Sequence, residues 1–130
     1  MIIGVGIDLA DIGRFDKMLR KKDDLLIERL LSDNEMPAFR ALTGDRRRAE
    51  WLAGRFAAKE ALMKALGLAL PEGIGMRDIE VMPDRLGRPV LALSAAVRRQ
   101  LDSPCTCHLS ITHTAATAGA IVVIEREVRA

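Results

Sequence analysis

The longest periodic segment of the chain, from Asp45 to Gly67, constrains the fold more than any other feature of the sequence. Its apolar residues recur at helical spacing, Asp45 can cap the start, and Gly67 is the expected stop of a long helix. Glu60 falls on the apolar stripe, which also comprises Ala49, Leu52, Ala53, Phe56 and Met63. An unpaired carboxylate in an apolar setting would cost several kcal/mol, so Glu60 needs a partner.

Two partners for Glu60 are open. Lys64, four residues later, would form a helix-surface ion pair worth a few tenths of a kcal/mol. Alternatively, Glu60 and Asp8 would be two oxygen ligands of Mg²⁺, a cation usually held by one or two carboxylates together with water and phosphate. No spacing rule links two residues so far apart in the chain.

Asp8 lies at the end of a predicted first strand, Ile2 to Leu9, whose two faces differ. Alternation gives the strand an aliphatic face and a bare, glycine-lined face that ends in the carboxylate of Asp8. The aliphatic face comprises Ile3, Val5 and Ile7.

Basic residues gather on two predicted helices. Arg48, Arg55 and Lys59 share one face of the long helix, where they would either surround a phosphorylated ligand or form a solvated basic surface. A shorter amphipathic helix, Asp11 to Lys22, carries further cations that include Arg14, Lys17 and Lys21.

The remaining pattern predicts an α+β fold, with an antiparallel sheet packed on the long central helix. Ser32 and Glu35 have the spacing of a capping box in front of a helix that reaches about Leu42. A hairpin over 78–93 precedes a short helix capped by Ser94. Two strands joined by a tight turn, 106–114 and 117–125, close the chain.

Composition excludes several classes of protein. The 130 residues suit a single domain, 1–130, and a hydrophobic content of 49% excludes a disordered chain. The net charge of +2 and the aromatic content of 3% disfavour nucleic-acid binding. No apolar run approaches the ~20 residues of a membrane span, so we expect a soluble cytoplasmic protein.

The two histidines lie on opposite faces of the predicted strand 106–114. Cys105, Cys107 and His108 form a Cys-x-Cys-His cluster, but alternation divides these residues between the faces, which disfavours zinc. The two cysteines are also badly placed for a disulfide. His113, at the strand end, is the better functional candidate, against the alternative of a hydrogen-bonded structural histidine.

Three separated segments together match one family. They are Gly6-Ile7-Asp8-Leu9 followed by Arg14, Phe56-Ala57-Ala58-Lys59-Glu60-Ala61 continued by Lys64-Ala65, and Ser110-Ile111-Thr112-His113-Thr114. The chain resembles the bacterial holo-acyl-carrier-protein synthases, which are small 4′-phosphopantetheinyl transferases. The segment 67–77 departs from the family pattern because it carries Leu-Pro-Glu where relatives are richer in glycine.

The resemblance implies an activity and a fold. The chain would transfer the 4′-phosphopantetheine group from coenzyme A to a serine of an apo acyl carrier protein, in support of fatty acid biosynthesis. The products would be the holo carrier and adenosine 3′,5′-bisphosphate. The family also implies a homotrimer with active sites at the subunit boundaries.

The resemblance assigns roles to individual residues. Asp8 and Glu60 would hold Mg²⁺ on the coenzyme A pyrophosphate, and Lys64 would neutralise charge there. The groups that contact coenzyme A phosphates would be Arg48, Arg55, Lys64 and His113. The acidic carrier protein would be received by Arg14, Lys17 and Lys21.

The general base that deprotonates the serine is open among Glu60, Asp8 acting through a metal-bound water, and His113. The rival hypothesis is a non-catalytic module that binds nucleotides or acidic proteins through the same basic surfaces. The carboxylate pair distinguishes the two, since an anion binder gains nothing from Asp8 and Glu60 near phosphates without a metal.

Overall fold

The structure, a computed structural model, describes residues 1–67 and 71–128, and within these ranges it contains five α-helices and five β-strands. The helices are α1 (Ile12–Arg20), α2 (Asp24–Leu30), α3 (Met36–Ala41), α4 (Asp45–Leu66) and α5 (Ala95–Arg98). The strands are β1 (Ile2–Asp11), β2 (Ile79–Pro83), β3 (Pro89–Leu93), β4 (Cys105–His113) and β5 (Thr117–Arg126). Positions 68–70 of the divergent segment and residues 129–130 of the predicted domain lie outside the described residues.

Two antiparallel sheets build the fold. The larger has the strand order β1-β5-β4, and the smaller is the β2-β3 hairpin. Helix α4 packs along β1 and β5, and α1 packs on α4 from another side. This confirms the predicted α+β class, with a sheet on a long central helix. The largest fully buried side chains at this junction include Phe15, Ile12, Leu52, Leu62, Val122 and Ile124.

The glycine-lined face of β1 is the face that meets α4. A Cβ atom at Gly4 or Gly6 would collide with the backbone carbonyl oxygen of Ala65 or Ala61, so only glycine permits this approach. The aliphatic face of β1 points the other way, and its three most exposed side chains are Val5 (57%), Ile7 (63%) and Leu9 (69%). The close packing of the β1 backbone against the α4 backbone therefore places Asp8 beside the helix.

The ends of α4 match the prediction only at the C-terminus. Gly67 stops the helix in the left-handed conformation, with φ 73°. The expected cap by Asp45 is wrong: Gly44 occupies the cap position with φ 86°, and Asp45 is the first helical residue. The carboxylate of Asp45 makes no side-chain cap bond but lies in the first turn, where the helix dipole favours an anion.

Most of the other local predictions are confirmed, but β1 continues to Asp11, so Asp8 lies three residues before the end of the strand and not at it. Ser32 and Glu35 exchange the reciprocal side-chain to backbone bonds of a capping box, but these bonds close the turn over 32–35, and α3 begins at Met36 with Glu35 in its cap position. Ser94 Oγ accepts a bond from the backbone N–H of Val97 at the start of α5. No helix in the described ranges has the length and apolarity needed to cross a membrane.

Candidate active site

The close contact between β1 and α4 brings Asp8 and Glu60 into one electrostatic site. Asp8 lies on the glycine-lined face of β1, and Glu60 is half-buried on the flank of α4. Burial raises the pKa of Glu60, and the negative charge of Asp8 raises it further, while Lys64 and Arg14 oppose the shift. Glu60, the carboxylate that interrupts the apolar face of α4, therefore lies beside a second carboxylate, that of Asp8.

Lys64 pairs with Asp8 and not with Glu60. Its Nζ lies 2.8 Å from Asp8 Oδ1 and donates a second bond to the carbonyl oxygen of Ile7 at 3.2 Å. The predicted surface pair between Glu60 and Lys64 is therefore not formed. Glu60 makes no ion pair with any residue in the described part of the chain.

The donor set of this site fits a hard divalent cation. Asp8 and Glu60 are adjoining carboxylates, which are the hard oxygen donors that Mg²⁺ prefers, and Lys64 pairs with Asp8 alone. Across residues 1–67 and 71–128 no three side chains of His, Cys, Asp and Glu form a metal cluster. Asp8 and Glu60 would thus supply the protein ligands, and water and phosphate the others, as is usual for Mg²⁺.

Arg14 lies at the same site, where α1 packs on α4. Its guanidinium group lies 5.1 Å from the ring centre of Phe56 and 5.7 Å from that of Phe15. Its charge reaches Glu60, whose pKa it lowers. Lys17 is also exposed on α1, and with Arg14 and Lys21 it lines an open cavity along that helix. The three predicted carrier-binding residues therefore share one surface.

Arg48 and Arg55 lie on another side of α4. Arg48 Nε donates to the carbonyl oxygen of Leu42 at 2.9 Å, and the Arg55 guanidinium lies 4.2 Å from the ring centre of Trp51. Arg55 precedes Glu60 by five residues and so projects about 140° away around the helix axis. The corresponding angle for Arg48 is about 120°. One chain does not bring these groups to the carboxylates.

Arg55 has unused hydrogen-bonding capacity. Its buried Nε has no hydrogen-bond partner among the described residues. Burial lowers the pKa of Arg55 to about 10, and the nearby charge of Glu35 limits that decrease. The guanidinium group remains cationic near neutral pH.

His113 is also remote from Asp8 within one chain. Asp8 pairs with Ala120 in β5, and Ala120 pairs with Ile111 in β4, so His113 lies two strands away and two residues further along. Strand spacing and rise put the two Cα atoms about 12 Å apart. The exposed ring of His113 lies with Nδ1 3.2 Å from the carbonyl oxygen of Thr114.

The zinc cluster is not formed. His108 lies on the outer face of the sheet, with Nε2 3.1 Å from Glu125 Oε1. Cys105 and Cys107 are free thiols on the opposite face, as strand alternation predicted.

Lys59 is the residue that sequence reasoning misplaced. It does not join Arg48 and Arg55 on a basic surface, because its side chain is 0% exposed and its Nζ donates to Glu35 Oε1 at 2.6 Å. Burial lowers the pKa of Lys59, and Glu35 opposes this shift. The signal was present in the spacing, because Lys59 lies seven residues after Leu52 and three before Leu62, on a buried side of the helix.

Comparison with known proteins identifies the family that the sequence motifs resemble, and the matches span nearly the full chain. Residues 4–120 match the family model described as the 4′-phosphopantetheinyl transferase superfamily. The holo-[acyl-carrier-protein] synthase of Staphylococcus carnosus is 42% identical over 97% of this chain and 99% of its own length. That of Bacillus velezensis is 44% identical over 97% of this chain and 98% of its own length.

A solved structure shares the fold. The holo-(acyl-carrier-protein) synthase of Bacillus anthracis, in complex with CoA (3′,5′-ADP), has a TM-score of 0.81 and 40% identity, covering 98% of this chain and 99% of that one. This likeness confirms the predicted fold. The chain belongs to the 4′-phosphopantetheinyl transferase superfamily.

Proposed function

We propose that this chain transfers the 4′-phosphopantetheine group of coenzyme A to a serine of an apo acyl carrier protein, in fatty acid biosynthesis. The leaving product is adenosine 3′,5′-bisphosphate. The observation that carries the proposal is the pair of carboxylates, Asp8 and Glu60, which share one site with Lys64 and Arg14. The relatives that bear the matching name align over nearly their whole length.

The chemistry requires alignment and positive charge. The serine oxygen attacks phosphorus while a general base, which is Glu60, Asp8 through a water, or His113, takes the hydroxyl proton. The bond to the bisphosphate breaks, and negative charge develops on the phosphoryl oxygens. Mg²⁺ held by Asp8 and Glu60 would supply positive charge at the pyrophosphate. Lys64, whose side chain is 55% exposed, would turn from Asp8 toward the phosphate. These residues therefore orient coenzyme A and stabilise the transition state.

The proposal includes a homotrimer with active sites at the subunit boundaries. Ile7 and Ile121 are cross-strand partners on the outer face of the sheet and are 63% and 40% exposed. With Val5 and Leu9 they form an apolar patch of the kind that marks an interface. Because His113 and the two arginines lie away from Asp8, a neighbouring subunit would bring them to the carboxylates.

The proposal also includes a docking site for an acidic carrier on α1. Arg14, Lys17 and Lys21 line one cavity, and all three side chains are exposed. Opposite charge on the carrier would speed encounter and orient its serine toward the adjoining carboxylates. The proposed location is the cytoplasm, where reducing conditions keep thiols such as Cys105 and Cys107 free.

One incubation tests the proposed activity. The chain is mixed with coenzyme A, Mg²⁺ and an apo acyl carrier protein, and the mass of the carrier is measured. We expect the carrier to gain one phosphopantetheine group, and a chelator to prevent the gain. An unchanged carrier mass would reject the transferase. Binding of coenzyme A without transfer would support the rival anion-binding module.

A further inference from the structure

A buried polar cluster lies on the far side of α4 from β1. Within residues 1–67 and 71–128 the buried polar side chains are Ser32, Glu35 and Lys59. Lys59 Nζ donates to Glu35 Oε1 and to the carbonyl oxygen of Leu30, each at 2.6 Å. Glu35 also accepts from the backbone N–H of Ser32 at 3.0 Å and of Val81 at 2.9 Å. Lys59 and Glu35 thus connect α4 to the end of α2, the start of α3 and strand β2.

Net stabilisation does not account for this pair. A buried ion pair is often no more stable than apolar residues of similar size, because both charges lose their hydration. Lys59 has no exposed surface, and Glu35 is 1% exposed. The role of the Lys59–Glu35 pair therefore follows from its position in the fold and not from the stability that it adds.

Lys59 lies almost opposite the glycine contact of α4. Lys59 and Ala61 are two residues apart and project about 200° apart around the helix axis. On the Ala61 side the helix meets Gly4 and Gly6, a smooth contact without the side-chain ridges that usually set helix orientation. Leu52 and Leu62 of α4 are also fully buried, and the hydrogen bonds of Lys59 add a directional restraint on rotation that the glycine contact lacks.

A small rotation of α4 would matter at Glu60. A carboxylate lies roughly 6 Å from the helix axis, so a rotation of about 10° would move it by about 1 Å. We infer that the Lys59–Glu35 pair is a positioning element, which holds α4 at the rotation where the Glu60 carboxylate faces Asp8. The inference rests on the proposed function, because it assumes that these carboxylates bind the metal.

The test separates positioning from stability. The double substitution Glu35→Gln/Lys59→Met removes both charges and leaves an amide oxygen to accept from the N–H of Val81. Mn²⁺ binding is measured by electron paramagnetic resonance with coenzyme A present, together with the thermal midpoint and the steady-state kinetics. We expect a folded protein whose Mn²⁺ dissociation constant rises roughly 10- to 100-fold. The value of kcat should fall more than the KM for coenzyme A changes.

Ser32→Ala is the matched control. It removes the Ser32 Oγ bonds to Glu80 and to the Glu35 backbone but leaves the Lys59–Glu35 contact. We expect a lower thermal midpoint with unchanged Mn²⁺ affinity. If the double variant does not fold, Lys59→Met takes its place, because Glu35 then keeps the bonds that it accepts from the backbone N–H groups of Ser32 and Val81. The same weakening of Mn²⁺ binding is expected.

Three results would overturn the inference. A folded variant that binds Mn²⁺ like the wild type, or a control that loses affinity in proportion to its stability, would show that the pair is only structural. Wild-type protein that bound no Mn²⁺ would instead reject the proposed metal site, and with it this inference.

Discussion

The ammonium group of Lys64 lies 2.8 Å from Asp8 Oδ1, although Glu60 precedes Lys64 by a single helical turn. Asp8 also has the more buried side chain of this pair, at 14% exposed against 55% for Lys64. The lysine thus neutralises the carboxylate on the strand and leaves the one on the helix without an ion pair among the described residues. A metal bound by both carboxylates would compete with Lys64 for Asp8.

This competition predicts opposite effects of Lys64→Met on binding and on catalysis. Without coenzyme A, the variant should bind Mn²⁺ several-fold more tightly, because one competing cation is gone. Transfer should fall by roughly 10²-fold, because a charge that stabilises the transition state is lost. Titration calorimetry and a transfer assay measure the two effects. Weaker Mn²⁺ binding by the variant would contradict the competition.

The carboxylates themselves should be essential to transfer but not to folding. Asp8→Ala and Glu60→Ala should each lower the transfer rate by roughly 10²- to 10³-fold. Circular dichroism should show an unchanged fold. Glu28→Gln, a change at an exposed carboxylate of α2, should leave the rate unchanged. A folded variant with near-normal activity would remove that residue from the metal site.

The raised pKa of Glu60 predicts a pH-dependent cost to stability. The folded chain holds this proton more tightly than the unfolded chain, so the free energy of unfolding falls as pH rises from the unfolded pKa through the folded pKa. Glu60→Gln removes the cost and should raise the metal-free thermal midpoint at neutral pH. Below about pH 4 a protonated Glu60 is as neutral as the glutamine that replaces it, so the difference in thermal midpoint between the two proteins should vanish. If Glu60→Gln lowered the thermal midpoint at neutral pH, the predicted direction of this stability change would be wrong.

Charge reversal on α1 should affect the carrier and not coenzyme A. Lys17→Glu/Lys21→Glu is a cleaner change than Arg14→Glu, because Arg14 also reaches Glu60. The KM for the carrier should rise several-fold, most strongly at low salt, while the KM for coenzyme A stays constant. Arg99→Glu, at an exposed position after α5, is the control. An equal rise for both substrates would place this surface in the catalytic site.

The outer face of the sheet should hold the subunits together. Ile7→Glu should convert a trimer into monomers in sedimentation, because it puts charge in the centre of the apolar patch. Leu86→Glu changes a side chain that is equally apolar and 78% exposed on the hairpin turn, and it should leave the assembly unchanged. A wild-type chain that sedimented as a fully active monomer would reject the trimer.

Shared sites should also allow complementation. Glu60→Ala and His113→Ala chains are each expected to be inactive, and mixing them should restore part of the activity once subunits exchange. A trimer without recovery would mean that Glu60 and His113 act within one chain.

Local features were predictable because they depend on neighbouring residues. The stop at Gly67, the bonds between Ser32 and Glu35, and the alternation along β4 follow from periodicity and capping chemistry alone. The cap at Asp45 failed because Gly44 adopts a positive φ that a side-chain rule does not anticipate.

Features that depend on contacts between distant parts of the chain were harder to predict from the sequence. Periodicity marked Glu60 as anomalous, but its pairing with Asp8 was one of two open alternatives until the family resemblance favoured it, since no rule links positions 8 and 60. The burial of Lys59 depends on Glu35, which becomes its neighbour only after α3 and α4 pack together. The sequence also did not reveal that the glycine face of β1 would be the buried one.

The glycine contact of β1 has a consequence for folding fidelity. A slip of one residue in the pairing of β1 with β5 would turn Val5 and Ile7 toward α4, where the helix backbone leaves no space for a Cβ atom. The misaligned strand could not dock, so it would have to separate and pair again. Only the correctly aligned strand can therefore dock on α4, and each molecule that completes folding carries Asp8 on the side of Glu60.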